Sequence, residues 1–295
     1  MAKIIDGKAI ALEMQEEMKA QVAELKIKGI IPGLAAILVG DNPASKTYVR
    51  NKEKACERIG IYSDVYRLPA STSEGDLIAL VDDLNNDRRI HGILVQLPLP
   101  AHIDEGKMIM KVDPDKDVDG FHPVNVGKMV IGQPAFLPCT PHGCKILLER
   151  SGIETKGKHM VILGRSNIVG KPLANIMLQK SKGANAIVTV CHSATKNIAD
   201  YTLQADILVA ATGKPHLVTA DMVKEGVVVI DVGMNWIDDP SHISGKRLVG
   251  DVDFEAVSKK ASAITPVPGG VGPMTITMLM HNTIQSALRF HEQAR

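Results

Sequence analysis

Residues Met160–Pro172 read MVILGRSNIVGKP. Met160 to Leu163 is a short apolar run suited to a buried parallel strand. Gly164 ends it, Gly170 follows a polar loop, and Pro172 suits a helix start, where its missing N–H costs nothing. A strand, a glycine loop and a helix start aim backbone N–H groups and the positive end of a helix dipole at a phosphate. The loop departs from the dinucleotide fingerprint G-x-G-x-x-G. Ser166 stands at the middle glycine, and the last glycine comes one residue late. On its own the stretch reads equally as a phosphate loop or as an ordinary strand–helix turn.

The next strand pattern adds weight. Ala186–Val190 is apolar and β-branched and runs into Cys191-His192-Ser193. A site for NAD commonly carries Asp or Glu near this point, holding the ribose 2′-hydroxyl. No acid stands here. Arg165, His192 and Ser193 offer donors and positive charge instead, which suits a 2′-phosphate and favours NADP over NAD. A surface arginine and a capping serine are the plain alternative.

Composition narrows the class. A chain of 295 residues suggests about two domains. Formal net charge is +1, and the aromatic residues are only four Phe, four Tyr and one Trp, so neither a basic surface nor a stacking platform for nucleic acid is expected. No apolar run reaches the length of a membrane span. The first residues, MAKIIDGKAIALEM, lack the apolar core of a signal peptide. The cysteines at 56, 139, 144 and 191 have no CxxC spacing and read as reduced thiols of a cytoplasmic protein.

Strand and helix patterns alternate along the chain. Strands are expected at 34–39, 64–68 and 92–97, then at 160–163, 186–190, 206–210, 227–232 and 262–265. Helices are expected at 7–28, 44–59, 73–86 and 274–291. Such alternation predicts two α/β domains built on parallel sheets covered on both faces. The boundary is placed near Leu137–Thr140, with Thr140 as N-cap and Pro141 as first residue of a helix ending at Gly152. This gives a first domain of residues 1–138 plus 274–295 and a second, Rossmann-like domain of 139–273, joined by two long helices. A cleft between domains is the expected ligand site.

Several residues stand out chemically. At 100° per residue, Tyr48, Lys52, Ala55, Cys56 and Ile59 share one helix face. An amine among apolar neighbours gives up its proton readily and suits proton transfer; a buried stem with its amine snorkelled to solvent is the competing reading. Gln96 follows the apolar Gly92–Val95, at the strand end that borders the ligand crevice in open sheets. Its polar group needs a partner, from protein or ligand. Residues 113–120, DPDKDVDG, resemble a calcium loop, but position 12 falls on Val126 rather than Glu, so an EF-hand is excluded. A charged turn explains most of these acids, while one of them remains available to hold a ligand edge. Cys139-Thr-Pro-His-Gly-Cys144 fits no zinc spacing, and no metal is expected. TPVPGGVGPMT, residues 265–275, leaves bare backbone that a ring or phosphate can approach closely; an elaborate helix entry is the alternative.

Five segments occur in order: Tyr48-x-x-x-Lys52, GILVQLPL at 92–99, KDVDG at 116–120, the loop from Gly164 to Pro172, and PGGVGPMT at 268–275. Together they closely resemble the bifunctional methylenetetrahydrofolate dehydrogenase/methenyltetrahydrofolate cyclohydrolase family, over nearly the whole chain. The resemblance implies NADP-dependent oxidation of 5,10-methylenetetrahydrofolate, then hydrolysis of the methenyl product to 10-formyltetrahydrofolate, by a dimer formed through the nucleotide domain. It implies Lys52 as catalytic lysine, Tyr48 as its neighbour stacking on folate, Gln96 as the glutamine that tunes the lysine, and Asp119 as the carboxylate on the pterin edge. Gly164, Arg165, Ser166 and Ser193 are implied as NADP contacts, with Met234 as a backbone contact. Pro268, Gly269 and Gly270 are implied to line the substrate. Rival readings are an NAD-using dehydrogenase-only relative, a shikimate-type dehydrogenase, and a non-catalytic folate or nucleotide sensor.

Overall fold

The computed structural model describes residues 2–241 and 245–293. In chain order the first elements are β1 (Lys3–Ile4), α1 (Gly7–Ile27), β2 (Gly33–Val39), α2 (Pro43–Ile59), β3 (Tyr62–Leu68), α3 (Glu74–Asn86) and β4 (Gly92–Val95). Then come α4 (Glu105–Lys111), α5 (Pro123–Val130), α6 (Cys139–Arg150), β5 (His159–Leu163), α7 (Gly170–Leu178), β6 (Ile187–Cys191) and α8 (Ala199–Thr202). The last are β7 (Ile207–Ala210), β8 (Val228–Asp231), β9 (Asn235–Asp238), β10 (Lys246–Val249), α9 (Phe254–Val257), β11 (Ala263–Ile264) and α10 (Val271–Gln293). Among the described residues no helix is long and apolar enough to cross a membrane.

The chain divides into two α/β units. One comprises Leu12–Cys139 and Ile276–Arg295 and carries a parallel three-stranded sheet in the order β3-β2-β4. All seven residues of β2 are buried, as expected of a central parallel strand. Ala35, Ile37 and Val39 pack with Leu77, Val81 and Leu84 of α3 and with Ile93 of β4 in one apolar cluster. β2 lies between β3 and β4, so successive crossovers leave on opposite sides and a crevice opens at the carboxyl ends of the strands.

The other unit comprises Met1–Ala11 and Thr140–Thr275. Its six strands, all parallel, run β1-β11-β8-β7-β5-β6, and β9 and β10 form a separate antiparallel hairpin. Met160–Leu163 is fully buried within β5. β5 pairs with β6 on one side and β7 on the other, which makes its carboxyl end the switch point of this sheet.

Three expectations need correction. The first eleven residues belong to the six-stranded unit, not to the domain of residues 1–138. The cause is β1, which pairs with β11 through Lys3↔Ala263 and Ile4↔Ile264. The division between units therefore falls inside α1 as well as inside α10 and at the first residue of α6. Thr140 is not an N-cap, because α6 already begins at Cys139; its hydroxyl meets that of Thr275 at 2.9 Å. The strand expected at 92–97 stops at Val95, where Gln96 N–H still reaches the Ile37 carbonyl at 2.9 Å before the cis Leu97–Pro98 bond.

Candidate functional site

In the three-stranded unit the site is built on α2. The Asn42 side chain caps this helix, accepting from the N–H groups of Ala44 at 3.0 Å and Ser45 at 3.1 Å, and Pro43 occupies its first turn. Gly60 closes it in the left-handed conformation, φ 85°. The helix buries Ser45, Val49, Lys52, Ala55, Cys56 and Ile59. Lys52 is only 8% exposed, and its amine finds a partner within the protein. Its Nζ donates to Gln96 Oε1 at 3.0 Å, and Gln96 Nε2 donates to the Leu97 carbonyl at 2.7 Å. The second bond fixes which face of the amide meets the lysine. Gln96 thus has both a backbone partner and a side-chain partner. Tyr48 lies one turn before Lys52, half-buried, and burial raises its phenol pKa.

The acidic loop separates into two tasks. Asp117 accepts N–H groups from Gly120 at 3.2 Å, Phe121 at 3.2 Å and His122 at 2.8 Å, and the Asn125 amide at 2.9 Å. It closes the turn. Asp113 Oδ1 accepts the Asp115 N–H at 2.8 Å. Asp119 is left for other work. Burial raises its carboxyl pKa, while the positive charge of Lys52 and a hydrogen bond with Cys139 pull the other way. Its surface remains partly open. Lys52, Gln96, Asp119 and Tyr48 therefore share one unit: Gln96 bonds to Lys52, the charge of Lys52 acts on Asp119, and Tyr48 stands one turn before the lysine.

In the six-stranded unit the glycine loop is shaped by contacts of backbone on backbone. Gly164 has φ 119°, and a Cβ on it would strike the Ala211 carbonyl oxygen; one on Gly170 would strike the Gly164 carbonyl oxygen. Both positions require glycine. The Gly164 N–H bonds to the Cys191 carbonyl at 2.8 Å. α7 then starts at Gly170 with no side-chain cap at Val169, as a helix that meets an anion can. Leu163 and Cys191 are register partners, so Arg165 and Ser193, two residues beyond them, leave the same sheet edge, and both are exposed. Met234 is 44% exposed, just after β8.

Ser166 is engaged within the loop itself. Its hydroxyl accepts the Val169 N–H at 3.1 Å, and its carbonyl accepts the Lys171 N–H at 3.1 Å. It helps to hold the loop in shape, and its O–H donor is what remains for a ligand. Pro268, Gly269 and Gly270 fall in this unit rather than with Lys52. Gly269 has φ 102°, and its carbonyl accepts the Lys8 N–H at 2.8 Å. A Cβ on Gly7 would strike the Gly270 carbonyl oxygen. The glycine pair therefore also seats the start of α1.

Sequence reading missed Asp251. It is 0% exposed. Its Oδ2 accepts the Thr212 N–H, the Thr212 hydroxyl at 2.9 Å and the Gly213 N–H at 3.0 Å, while Oδ1 accepts the Asn235 amide at 2.9 Å. Asp231, at the end of β8, accepts N–H groups of Gly233 and Asp251 at 2.9 Å and of Val252 at 3.0 Å. The available signal was glycine beside each acid, in Asp231-Val-Gly233 and Gly250-Asp251.

Comparison with known proteins bears on this geometry. Two family models match the chain: tetrahydrofolate dehydrogenase/cyclohydrolase, catalytic domain, over residues 5–119, and the NAD(P)-binding domain of the same enzymes over residues 138–291. Bifunctional protein FolD of Moorella thermoacetica is 59% identical over 288 residues, covering 98% of this chain and 99% of the relative. A solved structure of bifunctional FolD, methylenetetrahydrofolate dehydrogenase/cyclohydrolase of Campylobacter jejuni, matches with TM-score 0.92 and 52% identity over 98% of this chain and 100% of that one. The N5,N10-methylenetetrahydrofolate dehydrogenase-cyclohydrolase of Trypanosoma brucei, solved with NADP and an inhibitor, matches with TM-score 0.93 and 44% identity over 98% of each chain.

Proposed function

Because the chain belongs to the tetrahydrofolate dehydrogenase/cyclohydrolase family, we infer that it oxidises 5,10-methylenetetrahydrofolate with NADP and hydrolyses the methenyl product to 10-formyltetrahydrofolate. The observation that carries the hydrolytic half is the buried amine of Lys52 held 3.0 Å from a neutral amide oxygen.

The residues of the six-stranded unit fit the nucleotide. Gly164 and Gly170 make a cradle that a Cβ would fill, no acid stands between β6 and α8, and Arg165 and Ser193 stand exposed at the same edge. Arg165 and Ser193 hold the 2′-phosphate, the Gly164–Gly170 loop receives the pyrophosphate, and Met234 offers backbone to the nicotinamide. When bound, the nicotinamide supplies the acceptor for the electron pair of the methylene carbon. That carbon lies between two nitrogens, and a nitrogen lone pair stabilises the cation left behind. The chain's part in oxidation is then chiefly positioning.

Hydrolysis needs proton transfer. Water bonds to the methenyl carbon and gives up one proton; the bond from that carbon to N5 then breaks as the hydroxyl gives up its second proton to become the formyl oxygen, so that N5 takes one proton and the other leaves to solvent. Lys52 Nζ moves these protons. Gln96 orients the amine through its amide oxygen. Tyr48 stacks on the folate, and Asp119 accepts from the N–H donors of the pterin edge. An enzyme confined to oxidation needs no proton carrier, so the presence of Lys52 favours both activities.

A homodimer through the six-stranded unit is part of this reading. Support comes from β6, an edge strand whose Ile187 is 61% exposed, and from Trp236 of β9, 62% exposed. A cytoplasmic location is supported by four cysteines that are all free thiols.

The test is an absorbance assay with 5,10-methylenetetrahydrofolate and either nucleotide, following NADPH and methenyl product together. Steady NADPH formation with NADP, and a methenyl product that is consumed, are expected. Binding of both ligands with no NADPH would make the protein a sensor. Stoichiometric accumulation of the methenyl product would remove the hydrolytic half.

A further inference from the structure

The buried carboxylate of Asp251 has four donors and all of them are neutral: two backbone N–H groups, one hydroxyl and one amide. Stability alone gives little reason for such a group, because desolvating a charge is expensive and an apolar side chain would fill the space at less cost. What the carboxylate does achieve is placement. Thr212 and Gly213 follow β7, and Asn235 follows Met234 in the segment after β8. One side chain therefore fixes two of the loops at the carboxyl edge of the sheet.

The first of these loops reaches the phosphate cradle. The Ala211 carbonyl is the group that a Cβ on Gly164 would strike, and the Ala211 N–H bonds to the Leu163 carbonyl at 2.8 Å. Holding Thr212 and Gly213 thus holds Ala211 against Gly164. Asp231 anchors the backbone of Asp251 and Val252 in turn. Glycine makes room for both acids. A Cβ on Gly233 would strike Asp251 Oδ1, and one on Gly250 would strike Asp231 Oδ2.

We propose that Asp251 is a positioning residue of the dinucleotide site, which holds Thr212–Gly213 and Asn235 so that the loops after β5, β7 and β8 are set before the nucleotide arrives. This rests on the reading of that edge as the NADP site. A preset loop spends less of its binding energy on ordering. Loss of the clamp therefore weakens nucleotide binding and leaves the hydrolytic step, whose candidate residues lie in the three-stranded unit, largely as it was.

Four proteins are titrated with NADP by calorimetry: wild type, Asp251→Asn, Thr212→Val and, as the conservative control, Thr212→Ser. Replacing the carboxylate by an amide weakens three donors at once, so Asp251→Asn should raise Kd and KM for NADP about tenfold or more. Its kcat at saturating NADP and its cyclohydrolase rate should stay within about threefold. Thr212→Val loses only the hydroxyl and should raise Kd by about threefold, while Thr212→Ser restores the wild-type value. In nucleotide-free protein, hydrogen exchange at the Thr212 and Gly213 amides should accelerate in Asp251→Asn. Unchanged Kd in folded Asp251→Asn overturns the proposal, as does an equal fall of both activities at constant Kd. Should Asp251→Asn not fold, Thr212→Val decides alone, and an unchanged Kd there overturns it. If wild type itself fails to bind NADP, the reading of the edge has failed rather than the role of Asp251.

Discussion

Lys52 and Gln96 divide one hydrogen bond between two distant stretches of chain, 44 residues apart. Removing the amine while keeping the apolar stem separates the two activities. Lys52→Met should lower cyclohydrolase turnover by about a hundredfold or more, the range of general acid–base catalysis, while measurable dehydrogenase turnover remains. Both activities are followed in one cuvette; equal retention in a folded variant would remove the lysine from the mechanism. Arg165 supports a different test. It is exposed, so its loss leaves the core intact. Arg165→Ala should raise KM for NADP about tenfold, the worth of a charge-assisted phosphate contact, with KM for NAD within about twofold. Equal changes for both nucleotides would end the 2′-phosphate argument. Periodicity was enough to put Lys52 on the buried face of α2, but nothing local tells which of Asp113, Asp115, Asp117 and Asp119 closes the turn. That depends on which carboxylate meets the N–H groups of Gly120 to His122. Asp251 was illegible for a related reason, since its donors come from 38, 39 and 16 residues away.

The glycine loop between β5 and α7 works as an element, because its shape is set by backbone meeting backbone. A methyl group on Gly170 has no flexible side chain to push aside; it meets the Gly164 carbonyl. Gly170→Ala should therefore destabilise the protein by about 1–3 kcal/mol, as overpacking does, and weaken NADP binding in the same variant. Gly127 provides the contrast. It lies inside α5 with nothing near its missing Cβ, so Gly127→Ala should be neutral or stabilise by up to about 1 kcal/mol. Urea midpoints of the two variants check this, and similar shifts in the same direction would show that the cradle is not tight. Long elements such as α1, α2, α3 and α10 were readable because several turns repeat the apolar period. α4 and α5, of 7 and 8 residues, are too short for a period to emerge and are started by the side chains of Asp104 and His122. β1, with two residues, exists only because β11 offers it a partner.

Across the molecule, alternation of strands and helices carried the two-unit α/β plan, since each βαβ step is local in sequence. Which unit owns the N-terminus was not local, because it follows from a strand pairing between opposite ends of the chain. Long-range burial also sets how stability responds to pH. Burial raises the Asp231 carboxyl to about 7, against three backbone N–H groups that favour its charged form; the nearby charge of Asp251 adds to the rise. In the three-stranded unit burial raises Asp117 to about 6. Both folded values exceed the ordinary 3.8. The folded protein therefore binds protons that the unfolded chain releases, and stability falls as pH rises from about 4 through 6 to 7. This contribution is fully present below the unfolded value and lost above the folded one. Asp231→Asn cannot ionise and also sets an amide against the Val252 N–H, so it should be less stable than wild type at every pH. The gap should narrow as pH rises. Between pH 5 and pH 8 it should shrink by on the order of 1–4 kcal/mol, at about 1.4 kcal/mol for each pH interval of one over which only the folded carboxyl keeps its proton. Urea unfolding at the two pH values, followed by far-ultraviolet circular dichroism, measures the gap directly. Titrations shared by the two proteins cancel in the difference. A gap that is constant or that widens toward pH 8 would mean that Asp231 is ionised throughout, its three N–H donors outweighing burial.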